Sequence, residues 1–300
     1  MINQFLQYMQ YEKNYSSHTV LSYHTDLLQF CKFLEISPDE FNPNSISPRV
    51  IQQWILNLLD KKNSSRTISR KISTLKSFWR FLLLQGITDK NPTKKIILPK
   101  TNKPLPAFYK KNEMEAVLSD DVNNAENFEE IRDRMIINML YQTGLRVSEL
   151  VSLKDNDVDF SERKLKVLGK RNKERIIPLG KNLCEELKAY QNIRDLNVER
   201  VSDYLFTRNS GEGMYSKAIY NIVRDKMSAV STLHKQSPHT LRHTFATTLL
   251  NNGADINAVK ELLGHSSLAA TQIYTHVSFS ELNKIYKQAH PRAIKKGGQP

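Results

Sequence analysis

The segment Thr143-Gly-Leu-Arg-Val-Ser-Glu-Leu150 places an arginine, Arg146, two residues after a glycine. The residues before it, Glu129–Gln142, have the apolar spacing of a helix that Gly144 would end. Taken alone, Arg146 fits two interpretations equally: a cap on the preceding helix or a residue that binds a ligand. The residues that follow along the chain decide between them.

Five further candidates lie downstream, in short and separate segments. The segments are Gly169-Lys-Arg-Asn-Lys-Glu-Arg175, His239-Thr-Leu-Arg-His243, Leu262-Leu-Gly-His-Ser266 and Thr271-Gln-Ile-Tyr-Thr-His276, and the candidates in them are Lys170, His239, Arg242, His265 and Tyr274. Two arginines bind phosphate oxygens well, because a planar guanidinium donates two hydrogen bonds at once and stays charged. A set of cations and one phenol without a carboxylate cluster predicts phosphodiester chemistry that uses no metal ion.

Each candidate also has an ordinary structural interpretation. Most lysines at a hairpin turn, such as Lys170, are only solvated, and most tyrosines, such as Tyr274, are half-buried core residues. His239 follows Pro238, and its structural interpretation is an N-terminal helix cap. The spacing of His239 and His243 is compatible with a metal site, but no acidic third ligand lies nearby in the sequence. Only the combination favours a functional site.

Glycine also decides whether His265 and Tyr274 can meet. On one unbroken helix, nine residues apart, they would point to opposite faces. Asp255 is a good helix cap and Gly264 a good helix end, so His265 is predicted in a turn between two helices. The break allows both side chains to converge.

The bulk composition points to a polyanionic partner. The 300 residues carry a formal net charge of +13, and 39% of them are hydrophobic, which fits a globular protein with a sizeable core. We find no apolar run long enough to span a membrane, no signal peptide, and only two cysteines, Cys31 and Cys184. These features predict a reducing, cytoplasmic compartment and neither a disulfide framework nor a zinc site.

The first third of the chain is predicted to form four helices. Met1–Glu12 is short and amphipathic, Ser17 is a candidate cap for the second helix, Ser47-Pro48 opens the third, and Ser64 or Ser65 begins the fourth, which runs to Gly86. The second helix carries Val20, Leu21, Leu27, Leu28, Phe30 and Phe33 at helical spacing. The fourth helix has a basic face that either is solvated or contacts DNA, formed by Arg66, Arg70, Lys71, Lys76 and Arg80.

The amino-acid composition changes after these four predicted helices. Residues 99–106 are rich in proline and lysine, which predicts an extended linker whose Lys103 could follow a DNA backbone. Residues 107–300 are predicted to be mainly helical with a small antiparallel sheet. The predicted strands are Asn156–Phe160, Lys164–Leu168 and Glu174–Leu179, and the later helices are 181–195, 216–229, 240–251, 255–263, 267–276 and 279–288.

Together these motifs resemble the tyrosine site-specific recombinases, also called the phage integrase family, and most closely the bacterial Xer recombinases. The linker and the ending Ala289-His-Pro-Arg-Ala293 favour the XerC-like over the XerD-like kind. The resemblance implies a four-helix, SAM-like core-binding domain at 1–98, a linker at 99–106 and a catalytic domain at 107–300. One departure is Arg171, where the family often has glycine; the lysine could then be Lys170 or Lys173, and Gly169 and the family's spacing favour Lys170.

The resemblance also implies a mechanism and partners. Tyr274 would form a 3′-phosphotyrosyl link to DNA, with Arg146, Lys170, His239, Arg242 and His265 as the other catalytic residues and without metal, ATP or another cofactor. The partners would be a double-stranded recombination site, a tetramer on DNA that passes through a Holliday junction, a related second Xer recombinase and a septal DNA translocase. The process would be chromosome-dimer resolution at cell division, with the segment from Phe279 onward docking into the neighbouring subunit.

Two other functions share much of this pattern. A mobile-element integrase or a type IB topoisomerase would use the same chemistry, and a topoisomerase would need no paired sites. An accessory DNA-binding protein with an inactive site would bind DNA without forming a covalent link. The complete set from Arg146 to Tyr274 favours an active enzyme.

Overall fold

A computed structural model describes residues 1–97, 107–119, 127–169, 173–264 and 279–292. The chain divides into two compact units, Met1–Pro104 and Leu105–Pro300. The predicted boundaries of the linker, and Lys103 within it, lie outside the described residues, so the domain limits stay a prediction.

The first unit consists of helices, as predicted. Ser47 and Pro48 begin the third helix and Ser64 caps the fourth, but the second helix is capped by Ser16, whose hydroxyl accepts a hydrogen bond from the backbone N–H of Thr19. Ser17 was the wrong choice because two adjacent serines offer the same chemistry and only the backbone conformation selects one. The helices are α1 (Ile2–Gln7, continued by a π-helical turn at Tyr8–Glu12), α2 (Ser17–Phe33), α3 (Pro48–Asp60) and α4 (Ser65–Leu84).

Aromatic side chains fill the core of this unit. Phe30 packs against Trp54, with ring centroids 4.8 Å apart, and Phe78 and Trp79 of α4 are fully buried. The helical spacing on α2 was only partly right, because Leu21 and Leu28 are exposed on the outer side of the helix.

A buried ionic network joins α2 to α4. Asp26 is fully buried and accepts hydrogen bonds from Arg70, Lys71 and Thr74. Lys71 is only 3% exposed, so it belongs to the interior and not to the predicted basic face. A buried carboxylate is stable only when a cation is paired with it. Lys71 is therefore buried beside Asp26, although most lysines are exposed. Arg66, Arg70 and Arg80 remain exposed, and Lys76 is half-buried.

The second unit is mainly helical and carries one small sheet, which confirms the predicted fold class. Gly144 and Gly264 end α6 and α11 in the left-handed conformation, with φ of 62° at each residue, and Asp255 caps α11, all as predicted. The helices in the described residues are α5 (Lys111–Leu118), α6 (Phe128–Thr143), α7 (Val147–Ser152), α8 (Lys181–Asn197), α9 (Ser216–Ser228), α10 (Pro238–Asn251), α11 (Ile256–Leu263) and α12 (Phe279–Ala289). The predicted helix 267–276 lies outside the described residues.

The sheet has the order β1-β2-β3, with both pairs antiparallel. The strands are β1 (Val158–Asp159), β2 (Lys164–Leu168) and β3 (Glu174–Pro178). The first strand is shorter than predicted because Asp155–Asp157 forms a 3-10 turn, in which the Asp157 carboxylate accepts from the backbone N–H of Lys154 at 2.8 Å. Gly169 closes the described base of the second hairpin by donating to the Lys173 carbonyl at 2.8 Å.

Helix α12 packs against β3, α10 and α11 of its own unit, and Leu282 and Tyr286 lie in that unit's core. Docking of this segment into a neighbouring subunit would therefore require α12 to leave this position. Within the described part of the chain, no helix is both long enough and apolar enough to cross a lipid bilayer.

Candidate active site

Arg146 lies at the start of α7, directly after the turn that ends α6. Its backbone N–H and its Nη1 donate to the two oxygens of Glu149, at 2.8 and 2.7 Å, and its Nη2 donates to the Gly264 carbonyl at 3.0 Å. Arg146 therefore begins a new helix and does not cap the preceding one, since the C-cap position of α6 is held by Gly144. Its side chain is 31% exposed, so the guanidinium can reach a ligand.

Arg242 and His239 both lie in the first two turns of α10. The cap of this helix is Ser237, whose hydroxyl accepts from the backbone N–H of Thr240, so the interpretation of His239 as a cap is wrong. Arg242 is 8% exposed and donates from Nη1 to the Gly144 carbonyl and from Nη2 to the Leu263 carbonyl, each at 2.5 Å. His239 is exposed, three residues before Arg242. The helix thus presents an accessible imidazole and an arginine held in place by two carbonyls.

The carboxyl end of α11 brings three arginines together. The Leu262 carbonyl accepts from Arg175 Nε at 2.8 Å, the Leu263 carbonyl from Arg242, and the Gly264 carbonyl from Arg146. The last carbonyls of a helix have no partner within the helix and carry partial negative charge, which suits cations. Since Glu149 is the carboxylate paired with Arg146 and Arg175, three arginines and one carboxylate leave net positive charge for an anion.

Glu149 is ionised over the whole physiological range. Its burial would by itself raise the pKa of the carboxyl, but hydrogen bonds from Arg175 and Arg146 lower the pKa to about 2. Burial, and next the charge of Arg146, lower the pKa of Arg242 to about 10, which still leaves it protonated at neutral pH. The site therefore keeps its cationic character at pH 7.

The pKa of His239 is lowered from its usual 6.5, first by partial desolvation of the imidazole, although the residue as a whole is exposed, and then by the charges of Arg242, Lys235 and Arg146. In the DNA-free protein, NMR titration of the His239 ring should give a midpoint below 6.5. Because protonation is disfavoured in the folded state, wild type should lose more stability than His239→Gln as the pH falls through 6.5 towards 5. A midpoint above 6.5 would contradict this electrostatic picture.

Gly144 allows two parts of the site to approach each other. A Cβ atom built on Gly144 would lie 2.4 Å from Cδ1 of Phe245 and 3.0 Å from Cδ2 of Leu263. The glycine is therefore required by its positive φ and by the lack of space.

We expect Gly144→Ala to lower the free energy of unfolding by about 2 kcal/mol or more, since left-handed strain and overpacking each cost about 1–3 kcal/mol. The matched control is Gly253→Ala, which has a φ of +82° but no atom within 4 Å of the added Cβ, so that only the strain applies. Chemical denaturation of both variants checks the difference. Equal losses would mean that the Phe245 contact carries no cost.

Lys170, His265 and Tyr274 lie outside the described residues, so the predicted site is seen in part. The structure brings Arg146, Arg242 and His239 of the predicted set into one unit and joins the two arginines to the end of α11. The residues that directly precede Lys170 and His265 in the chain, Gly169 and Gly264, are described.

The described residues contain no group of three His, Cys, Asp or Glu side chains placed to hold a metal ion. His243 is half-buried and lies 3.5 Å from the Thr247 hydroxyl through Nε2.

Arg146, Arg175, Arg242 and Glu149 form one group at the end of α11, the arginine cluster. Two of its members, Glu149 and Arg175, were not predicted as site residues. Glu149 stands three positions after Arg146, the spacing of a capping box, and this signal could have found it. Arg175 occurs in a strand, Glu174-Arg-Ile-Ile-Pro178, and its sequence context gives no indication that its side chain is 9% exposed and bound to Glu149. Only the fold shows its role in the cluster.

Comparison with family models and known proteins explains why a helical first unit and an arginine-rich site occur in one chain. Residues 108–281 match the model of the phage integrase family, and residues 2–86 match the N-terminal SAM-like domain of phage integrases. The chain therefore belongs to the phage integrase family.

Curated relatives extend this match over nearly the whole chain. It is 38% identical to tyrosine recombinase XerC of Chlorobaculum parvum, with 96% of this chain and 94% of the relative covered. It is 40% identical to tyrosine recombinase XerD of Staphylococcus saprophyticus, with 98% and 99% covered. The chain is thus a tyrosine recombinase, an enzyme that cleaves and rejoins DNA strands by site-specific recombination, and the family's chemistry is consistent with the prediction of neither metal nor ATP. Both kinds of relative are similarly distant, so the XerC-like choice stays a prediction.

Solved structures share the fold. The integrase of transposon Tn1549 in complex with transposon right-end DNA has a TM-score of 0.71 at 21% identity, with 94% of this chain and 97% of that chain covered. The XerH site-specific recombinase bound to a palindromic difH substrate has a TM-score of 0.69 at 22% identity, with 96% and 84% covered. At this identity the likeness concerns the fold alone.

Proposed function

We propose that this chain resolves chromosome dimers during cell division, by recombining two copies of one DNA site through a 3′-phosphotyrosyl intermediate. The observation that carries the proposed chemistry is the placement of Arg146 and Arg242 on adjacent carbonyls of one helix end, Gly264 and Leu263. This arrangement fixes two guanidinium groups close together, as binding of one phosphate requires. The similarity to XerC and XerD relatives supports the biological process.

In the proposed reaction, the phenolic oxygen of Tyr274 attacks the scissile phosphorus and the bond from phosphorus to the 5′-oxygen breaks. A phenol with a pKa of about 10 needs help at neutral pH, and a neutral His239 accepts its proton. Lys170 gives a proton to the leaving 5′-oxygen, which is strongly basic. The reverse reaction with a new 5′-hydroxyl rejoins the strand, so the bond energy is conserved and no ATP is consumed.

Arg146 and Arg242 stabilise the charge that develops on the non-bridging oxygens in the transition state. Their present carbonyl partners occupy part of their donor capacity, and each guanidinium has five N–H groups to share between protein and phosphate. His265 would donate a further hydrogen bond to a phosphate oxygen. His265 directly follows Gly264, whose carbonyl accepts from Arg146, and Lys170 directly follows Gly169, on which a Cβ would lie 3.5 Å from Arg175 Nη1.

The proposed assembly is a tetramer that holds two DNA sites and exchanges strands in two steps through a Holliday junction. A related second recombinase would share the site, and a septal DNA translocase would activate the recombinases. The segment from Phe279 onward would leave its own unit and dock into the neighbouring subunit. The domain limits proposed for each subunit are 1–98, 99–106 and 107–300.

The basic face of α4 is the surface of the first unit that we propose contacts DNA. We expect Arg66→Ala to weaken DNA binding and to lower the slope of log affinity against log salt by about one, because one phosphate contact is lost. Lys71→Met also removes one positive charge, but from a buried position. It should therefore leave the slope unchanged, although it destabilises the first unit. Fluorescence titrations at several salt concentrations measure both. An unchanged slope for Arg66→Ala would exclude it from the contact.

The chemistry is tested with a nicked suicide duplex that carries the candidate recombination site of the source chromosome. Cleavage releases a short oligonucleotide and traps a DNA-linked protein, which a denaturing gel resolves. A 3′-link leaves a 5′-hydroxyl that polynucleotide kinase can label, and a chelator should not lower the yield. A chelator-sensitive reaction would exclude the metal-free mechanism, and relaxation of a supercoiled plasmid without any such site would favour a topoisomerase.

The biological process needs a separate experiment. A plasmid with two directly repeated sites should be resolved into two circles by this chain together with the related recombinase of the same genome. Resolution by this chain alone would replace the mixed tetramer with a homotetramer. Covalent adducts without any resolution would favour a function other than dimer resolution.

A further inference from the structure

The third arginine of the cluster, Arg175, has no role in the proposed chemistry, yet it binds both Glu149 and the carboxyl end of α11. Arg175 donates from Nε to the Leu262 carbonyl at 2.8 Å and from Nη1 and Nη2 to the two oxygens of Glu149, each at 2.8 Å. We propose that Arg175 is a positioning residue for strand cleavage, which neutralises Glu149 and thereby leaves the charge of Arg146 available to the scissile phosphate. This inference rests on the proposed function.

Arg175 is unsuited to bind the phosphate directly. All three of its guanidinium nitrogens already donate to protein oxygens, and two of them are held by the charged Glu149 carboxylate, whereas Arg242 donates only to neutral carbonyls. A buried arginine with a bidentate carboxylate partner and a backbone partner has a fixed orientation. Its effect on a ligand must therefore pass through the groups that it holds.

The first of these groups is Glu149, which two arginines share. Oε1 accepts from Arg146 Nη1 and Arg175 Nη1, and Oε2 accepts from the Arg146 backbone N–H and Arg175 Nη2. Glu149 and Arg146 alone would form a neutral pair. With Arg175 the group of three carries one net positive charge, so Arg146 can attract a phosphate without losing its orientation. Without Arg175, Arg146 would be the only ion-pair partner of the buried carboxylate among the residues that the structure describes.

The second group is the backbone on either side of the site. A Cβ on Gly264 would lie 3.2 Å from Arg175 Cδ and Nη1, and a Cβ on Gly169 would lie 3.5 Å from Nη1. The two glycines thus pack close to the same guanidinium, and each directly precedes a predicted catalytic residue, His265 and Lys170 respectively. Removing the guanidinium would loosen both chain segments at once. Small displacements of catalytic groups can cost about 10²-fold in rate.

The test compares single-turnover cleavage of the suicide duplex with DNA affinity. At saturating protein, Arg175→Lys and Arg175→Gln should lower the cleavage rate by about tenfold to 10²-fold, while the dissociation constant changes less than about threefold. The matched control is Arg194→Lys. Arg194 is fully buried and donates to both Asp155 oxygens and the Leu205 carbonyl, none of which belongs to the site. The Arg194→Lys variant should be less stable than wild type but should keep the wild-type cleavage rate.

A rescue experiment separates electrostatic positioning from a general structural role. In Arg175→Gln, Arg146 is the one ion-pair partner that the described residues leave to Glu149, so adding Glu149→Gln should raise the cleavage rate above that of Arg175→Gln alone. A further loss of rate in the double variant would overturn the proposed charge balance. Thermal unfolding of each variant shows that the compared proteins are folded, and Arg175→Lys is the milder substitution should Arg175→Gln fail to fold.

The outcomes distinguish this inference from the proposed function. Adducts with wild type, together with wild-type rates for both Arg175 variants, would overturn the positioning role and leave the recombinase chemistry intact. Absence of adducts with wild type would overturn the proposed chemistry and this inference with it. Rate losses of equal size in Arg194→Lys would reduce Arg175 to an ordinary stabilising residue.

Discussion

Tyr274→Phe should abolish the DNA-linked protein on the suicide duplex while it leaves DNA binding within about twofold of wild type. The substitution removes one hydroxyl, and with it the only atom that can form the phosphotyrosyl bond in the proposed reaction. Binding depends instead on the many phosphate contacts of a chain with a net charge of +13. Denaturing gels measure the adduct and native gels the affinity.

The matched control is Tyr190→Phe. Tyr190 is fully buried in the core of the same unit, its ring packs against Phe206, and burial raises the pKa of its hydroxyl. Such a hydroxyl reaches no DNA, so this variant should form adducts at the wild-type rate. Adducts that persist in Tyr274→Phe would assign the nucleophile to another residue.

Arg242→Ala should lower the single-turnover cleavage rate by about 10²–10³-fold, the typical cost of removing one donor to a transition-state oxyanion. The dissociation constant for DNA should change far less, because one buried arginine adds little to a broad electrostatic interface. The same substitution leaves the carbonyls of Gly144 and Leu263 without the donor that now joins them. We therefore also expect a loss of stability of about 1–3 kcal/mol.

Arg242→Lys separates these two effects. A lysine keeps the positive charge but lacks the planar pair of donors that binds two carbonyls or two phosphate oxygens together. Its stability should recover in part, whereas cleavage should stay well below wild type. If Arg242→Ala lost affinity and cleavage in the same proportion, Arg242 would contribute to binding only and not to the transition state.

The helix ends of the site were predictable from sequence, because local chemistry determines them. Gly144 and Gly264 adopt positive φ values that glycine tolerates best, and Asp255 caps α11 through hydrogen bonds to two nearby backbone N–H groups. The choice between Ser16 and Ser17, and the short first strand, were missed. In both cases neighbouring polar residues offer the backbone competing hydrogen bonds of similar energy.

Burial of charged residues was not predictable from sequence. The spacing on α4 gives Lys71 the same appearance as Arg66 and Arg70, yet Lys71 is buried because Asp26 of another helix needs a partner. Arg175 presents the same difficulty in a strand. A sequence pattern reports which residues share a face, but the partner across that face comes from a distant segment.

The sequence by itself therefore determined the class of the protein: a helical first unit, a second unit with a small sheet, a surplus of positive charge, and the residue types that cleave a phosphodiester through a tyrosine. Only the tertiary structure decided how the arginines meet. Arg175 binds a carbonyl 87 residues away, Arg242 one that is 98 residues away, and Arg146 one that is 118 residues away. The physical reason is that a helix end leaves several carbonyls unpaired, and folding of the whole unit supplies their donors.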